Sequence, residues 1–194
     1  MTSTPTTADW SAENYEARRL TIAAGDYDDL LARFESIVPT VPMAAVNALI
    51  ERGADWDEML ELIDKAAPYG FLIYARIDVG PAMASAGDDG RGIEYLMGNH
   101  TIAERMYRHD QRAMLYAPLR LFLYETPDGK AYFALDQPSP QLGSFGDERV
   151  LSVGRELDAK VAALLGALGL PVPARLLGQD QQAPARPAAS TPGD

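Results

Sequence analysis

The residues best equipped for acid–base or metal chemistry cluster in "EYLMGNHTIAERMYRHD", residues 94–110, which holds both histidines of the chain, His100 and His109. Imidazole titrates near neutrality, so either one could move a proton beside Glu104, Tyr116 or Glu125. Thr101 followed by Glu104 has the spacing of a capping box and predicts a short helix beginning after His100. On that helix Ile102, Met106 and His109 share one face, and Glu104 and Arg108 make an i, i+4 ion pair. A chelating pair wants histidines four apart, or a carboxylate three or four residues from a histidine. The residues four and three before His109 are Arg105 and Met106, so no metal site is expected. Haem would have only a lone axial ligand in His109 or Met106, and a methionine at helical spacing reads more simply as core. His109 reads best as a surface or pocket-rim residue at the end of a short helix.

Other candidate chemistry is weaker. Ser144 in "QLGSFGD" lacks the strand-to-helix spacing of a nucleophile elbow and has no histidine nearby in sequence as its base. The glycines of "GDDGRG" come without a phosphate-binding lysine, so this stretch reads as a plain hairpin connection. No cofactor is expected. The chain has no cysteine, which removes disulfides, thiolate catalysis and iron–sulfur ligation together.

The elements that must position these residues follow from composition and periodicity. With 194 residues, 47% hydrophobic and 23% charged, the chain matches one soluble globular domain. A net charge of -11 repels phosphate backbones and anionic headgroups, so neither nucleic acid nor membrane is an expected partner. The opening "MTSTPTTADW" lacks the cationic start and apolar run of a signal peptide, and a cytoplasmic location is expected. Residues 1–12 and the Pro-, Ala- and Gln-rich residues 171–194 read as flexible or disordered tails around a domain at 13–170.

Within that domain, "YEARRLTIAA" reads as a strand and Asp26 as the cap of a helix carrying Leu30, Leu31, Phe34 and Ile37. Residues 40–67, bounded by prolines and split by Gly53, read as a pair of short helices. Asp55 caps the second, with Trp56, Met59, Leu62, Ile63 and Ala66 on one face. Strands follow at "FLIYARID" and "IEYLM". "PLRLFLYETPDGKAYFALD" is a hairpin whose turn, Pro127, Asp128 and Gly129, places Thr126 opposite Lys130. Counting back pairs Tyr124 with Tyr132, Phe122 with Ala134, and Arg120 with Asp136 in a cross-strand ion pair. Residues 147–168 form a long helix with Val150, Val153, Leu157, Val161, Leu164 and Leu168 on one stripe and Glu156 four before Lys160.

Sorting strand residues by parity gives an aliphatic face of Phe71, Ile73, Ala75, Ile77, Leu119, Leu121, Leu123, Phe133 and Leu135, where helices should pack. The other face carries Leu72, Tyr74, Arg76, Arg120, Phe122, Tyr124, Tyr132 and Asp136, a mixture too aromatic for a solvated surface and too charged for a sealed core. Such a face suits a homodimer interface, or a cleft in which arginines hold an anion and tyrosines line its apolar part. Simple cover of the sheet, with Arg120 and Asp136 paired, also fits.

The order "YGFLIYARID", "YLMGN", "LYAPLRLFLYETPDGKAYFALDQPS" and "RELDAKVAALL" resembles the domain-of-unknown-function 302 family over roughly residues 15–168. The resemblance implies an α+β fold in β-α-β(4)-α order, similar to the TATA-binding-protein-like architecture. It implies a curved antiparallel sheet covered on one face by helices, and commonly a dimer. Members typically have proline where this chain has His100 and usually lack the helical pair at 40–67. The combined expectation is a non-catalytic homodimer that binds a small, partly apolar anion. The expected site is Tyr74, Arg76, Arg120, Tyr124, Tyr132 and Asp136, with Asn99 and His100 at the rim. An enzyme using His109 or His100 as general acid/base, and a protein-interaction module docking through 40–67, are the alternatives.

Overall fold

Leu20 and Ile22 alternate with exposed neighbours in β1 (Arg19–Ala23), the pattern of a strand with one face against a core. Residues 12–178 are described by the computed structural model. Asp26 accepts from the Asp29 backbone N–H at 2.9 Å and starts α1 (Tyr27–Ile37), which buries Tyr27, Leu30 and Phe34. The chain then runs along the edge of the sheet, with Val41 N–H donating to the Ile73 carbonyl and Ile73 N–H to that of Pro39. Next come α2 (Met43–Glu51) and α3 (Trp56–Ala66), the latter capped by Asp55. Gly53, at φ +65°, makes the turn between them where a β-carbon would be strained.

The remaining elements are β2 (Leu72–Asp78), α4 (Gly80–Ala84), β3 (Arg91–Gly98), α5 (His100–Tyr107), β4 (Leu119–Glu125), β5 (Ala131–Asp136), α6 (Pro138–Gly143) and α7 (Glu148–Ala167). Short 3-10 turns occupy Gln111–Tyr116 and Ala174–Leu177. The strands form one antiparallel sheet in the order β1-β5-β4-β3-β2. The expected α+β architecture and helical insertion are present, with α4, α6 and the 3-10 turns added in the connections. Helices α1, α5 and α7 share the main core with the aliphatic sheet face, and all six residues of the expected α7 stripe are buried. The pair α2–α3 builds a smaller core of Val41, Val46, Met59, Ile63, Ala67 and Leu72.

The hairpin has the expected register, with Tyr124 opposite Tyr132, Phe122 opposite Ala134, and Gly129 at φ +77°. The Arg120–Asp136 ion pair does not form. Arg120 Nε meets Glu94 on β3 at 2.8 Å, and Asp136 accepts from Arg19 on β1 at 3.2 Å. Each charge takes a partner from the strand on its outer side rather than across the hairpin.

A second correction lies in β2. Its register against β3 slips between Ile73, opposite Met97, and Ala75, opposite Leu96, so Tyr74 is an inserted, bulged residue. One extra residue inverts the parity that follows it. Arg76 therefore stands opposite the buried Tyr95, on the helix-covered side, and Ile77, placed on the aliphatic face by simple alternation, is 45% exposed. Two smaller expectations also fail. Trp56 is 41% exposed at the first turn of α3, beyond the reach of its small core. Residues 171–178 are not tail, because the 3-10 turn buries Leu176 against the main core; the expected tails at 1–11 and 179–194 lie outside the described residues.

Candidate functional site

The end of β3 is shaped by two adjacent residues, Gly98 and Asn99. A β-carbon on Gly98 would sit 3.3 Å from Pro118 and 3.6 Å from the Tyr74 ring, so glycine lets that ring and the start of β4 close over the strand. Asn99, 9% exposed, is the true cap of α5: its Oδ1 accepts from Thr101 N–H at 2.8 Å and from the Thr101 hydroxyl at 2.7 Å. Its Nδ2 donates to the Gly70 carbonyl. Thr101 is thus a donor to the cap rather than the cap, because Glu104 is taken by Arg108 and does not reach back.

These contacts frame a cavity of 220 Å³ with walls from Tyr74, His100, Ile102, Met106, Met114 and Tyr116. A groove of 570 Å³ between the inserted pair α2–α3 and α5 shares His100, Ala103 and Met114 with it. The bulge delivers Tyr74 here, and its hydroxyl lies 2.7 Å from His100 Nδ1. Burial pushes the Tyr74 phenol up to about 12 and holds the His100 imidazole below its usual range. Both groups are neutral at pH 7, so one proton bridges Oη and Nδ1. Burial, followed by the neighbouring Tyr15, likewise raises Tyr116 to about 12. The result is a largely apolar chamber whose wall carries the Tyr74–His100 pair and the Tyr116 phenol, the usual make-up of a small-molecule pocket.

The expected site residues divide into three groups. Tyr74, Asn99 and His100 line the cavity, although the Asn99 side chain is committed to capping. Arg120, Tyr124, Tyr132 and Asp136 lie on the open sheet face, where Phe122, Tyr124 and Tyr132 stack with centroids 5.2 Å apart. Arg76 belongs to neither: its Nε donates to Glu35 at 2.8 Å, beside the Tyr95 hydroxyl, which donates to the same carboxylate at 2.5 Å. Burial would raise the Glu35 pKa, but these two hydrogen bonds outweigh it and the net shift is downward.

Of the acid–base candidates, His109 is exposed in a separate cleft among Arg105, Arg108 and Arg149, and Glu125 pairs with Arg91. Only His100 and Tyr116 reach the cavity. Among the described residues no three histidine or carboxylate side chains are grouped to hold a metal ion, and no helix is long and apolar enough to cross a membrane. Residues 111–114 went unremarked at the sequence level and 115–118 were read only as the approach to the hairpin, yet Met114 and Pro118 are cavity walls. Their irregular backbone has no periodicity to count. Gly92, read as part of a plain hairpin connection, stands in β3: a β-carbon there would come within 2.5 Å of Phe122, so this glycine is what lets the Phe122 ring lie flat across the sheet.

An open five-stranded antiparallel sheet, covered on one face by helices and hollow at one end, defines an α+β domain of a recognisable class. The chain belongs to the family described as "Domain of unknown function DUF302", whose sequence profile matches residues 51–168. In fold it is similar to the crystal structure of an uncharacterized conserved protein DUF302 from Bacillus stearothermophilus. That likeness covers 78% of this chain and 97% of the other at 14% identity, with a TM-score of 0.54. No curated protein matches the chain.

Proposed function

We propose that this domain is a non-catalytic homodimer that holds a small, mainly apolar molecule in the cavity beside Tyr74 and His100. The observation that carries the reading is the chamber itself, apolar on nearly all sides with a single phenol–imidazole pair to orient a ligand through one hydrogen bond. The anionic part of the sequence-level expectation is dropped, since Arg76 and Arg120 each face a carboxylate and neither lines the cavity. A hydroxyl or carbonyl on the ligand suits a neutral pair better than a charge does. The stacked Phe122, Tyr124 and Tyr132 supply the aromatic surface through which two sheets would meet.

The test is native mass spectrometry of the full chain purified gently from its own cells, with Ala103→Trp in parallel. Ala103 borders both cavity and groove and is half-buried, so the indole fills space without disturbing the main core. A dimer carrying extra mass that Ala103→Trp lacks is the expected result. A monomer, or added mass that persists in the variant, rules the reading out.

A further inference from the structure

We propose a second binding site, for a multiply charged oxyanion carried by a phosphate- or carboxylate-bearing small molecule. It lies where the residue before β1, the end of β5, the start of α6, α7 and the 3-10 turn at 174–177 meet around a pocket of 560 Å³. Three arginines line this pocket, Arg18, Arg155 and Arg175, in a chain whose net charge is -11. Among the described residues, the one acidic residue in its wall is Asp158, which is 4% exposed and turned to the protein. Its Oδ1 accepts from Ser139 N–H at 3.0 Å, and its Oδ2 accepts from the Ser139 hydroxyl at 2.6 Å and Gln137 Nε2 at 2.5 Å.

That buried arrangement positions the first arginine. With its amide nitrogen given to Asp158, Gln137, 2% exposed, can only present its carbonyl oxygen outward, and Oε1 accepts from Arg18 Nη1 at 2.9 Å. Arg18 is therefore fixed by a neutral acceptor; its charge also acts on the buried Asp158 carboxylate and favours its ionised form, while its remaining N–H groups are left for a ligand. Arg155 meets Glu148 at 2.6 Å, but the two side chains are 53% and 73% exposed, and an ion pair so hydrated yields readily to a competing anion. Guanidinium forks match the paired oxygens of phosphate and carboxylate, and several such forks in one concavity make an anion site. Sequence parity assigned the anion to Arg76 and Arg120; the arginines that share a pocket are others.

Isothermal titration of the full chain with pyrophosphate, and separately with citrate, at constant ionic strength tests this, and the tighter of the two identifies the ligand's charged group. Saturable binding is expected, about tenfold weaker in the exposed-site variant Arg155→Gln. Arg155→Lys should fall between, keeping the charge and losing the fork. Arg18→Gln combined with Arg155→Gln should abolish saturation while the thermal unfolding curve without ligand stays in place. Absence of saturable binding to either anion, or equal binding by wild type and variants, overturns the proposal. Ala103→Trp leaves this titration unchanged, which separates it from the apolar cavity.

Discussion

The two faces of the one sheet are made by the same alternating strands and end in opposite states. Toward α1 and α7, Leu121, Leu123 and Phe133 are wholly buried and Phe34 meets Tyr95 ring to ring. On the reverse, Phe122, Tyr124 and Tyr132 lie stacked but only partly covered, with Arg120 extended at 78% side-chain exposure. Aliphatic side chains gain by being enclosed on every side, so their face calls for a helix of the same chain. Aromatic rings can cover one another and still offer a broad flat surface, the surface through which the proposed dimer would form.

Substitution separates the faces, and the largest effect belongs to the core. Leu121→Ala should lower unfolding free energy by about 3 kcal/mol in denaturant titration, the cost of an unfilled cavity, whereas Tyr124→Ala should cost about 1 kcal/mol or less. Tyr124→Arg should instead convert the proposed dimer to monomer in light scattering while the fold persists. Equal losses at 121 and 124 would erase the distinction. Next, Tyr95→Phe removes a hydrogen bond to the Glu35 carboxylate and should cost about 1–2 kcal/mol. Tyr132→Phe, with its hydroxyl on the open side, should register little.

A pH series sharpens the contrast at the cavity. Burial holds His100 below its ordinary value of 6.5, so under acid the unfolded chain binds a proton before the folded one does. Stability should be complete above about pH 6.5 and fall as pH drops toward the lower folded value. His100→Gln should flatten that part of the curve measured by thermal unfolding; an unchanged curve would locate the acid sensitivity elsewhere. The smallest effect is reserved for Arg120→Ala, within about 0.5 kcal/mol of wild type because its pair with Glu94 is largely solvated.

Legibility in the sequence followed the range of the interaction. The turn at Pro127–Gly129, the caps at Asp26 and Asp55 and the stripe along α7 depend on neighbours within a few positions, and they formed as expected. The bulge at Tyr74 did not announce itself, since counting by twos cannot sense a residue that leaves the ladder, and Ala75, Arg76 and Ile77 were assigned to the wrong side. For the cap of α5, Asn99 and Thr101 were equally able in principle, and the choice turned on Gly70, 29 positions away, accepting the asparagine's amide. The two pockets were the least visible parts. Tyr74 with His100, and Arg18 with Gln137, come from segments that only the completed sheet brings together.

One feature of that sheet bears on how the protein comes into being. The outermost strand β1 has a single neighbour, β5, and Arg19 reaches its partner Asp136 across 117 positions. On the ribosome β1 is made before β5 and must wait for that last strand of the sheet before its backbone finds a mate. Its placement therefore closes the sheet, and the strand that leads the sheet in sequence is the one that completes it.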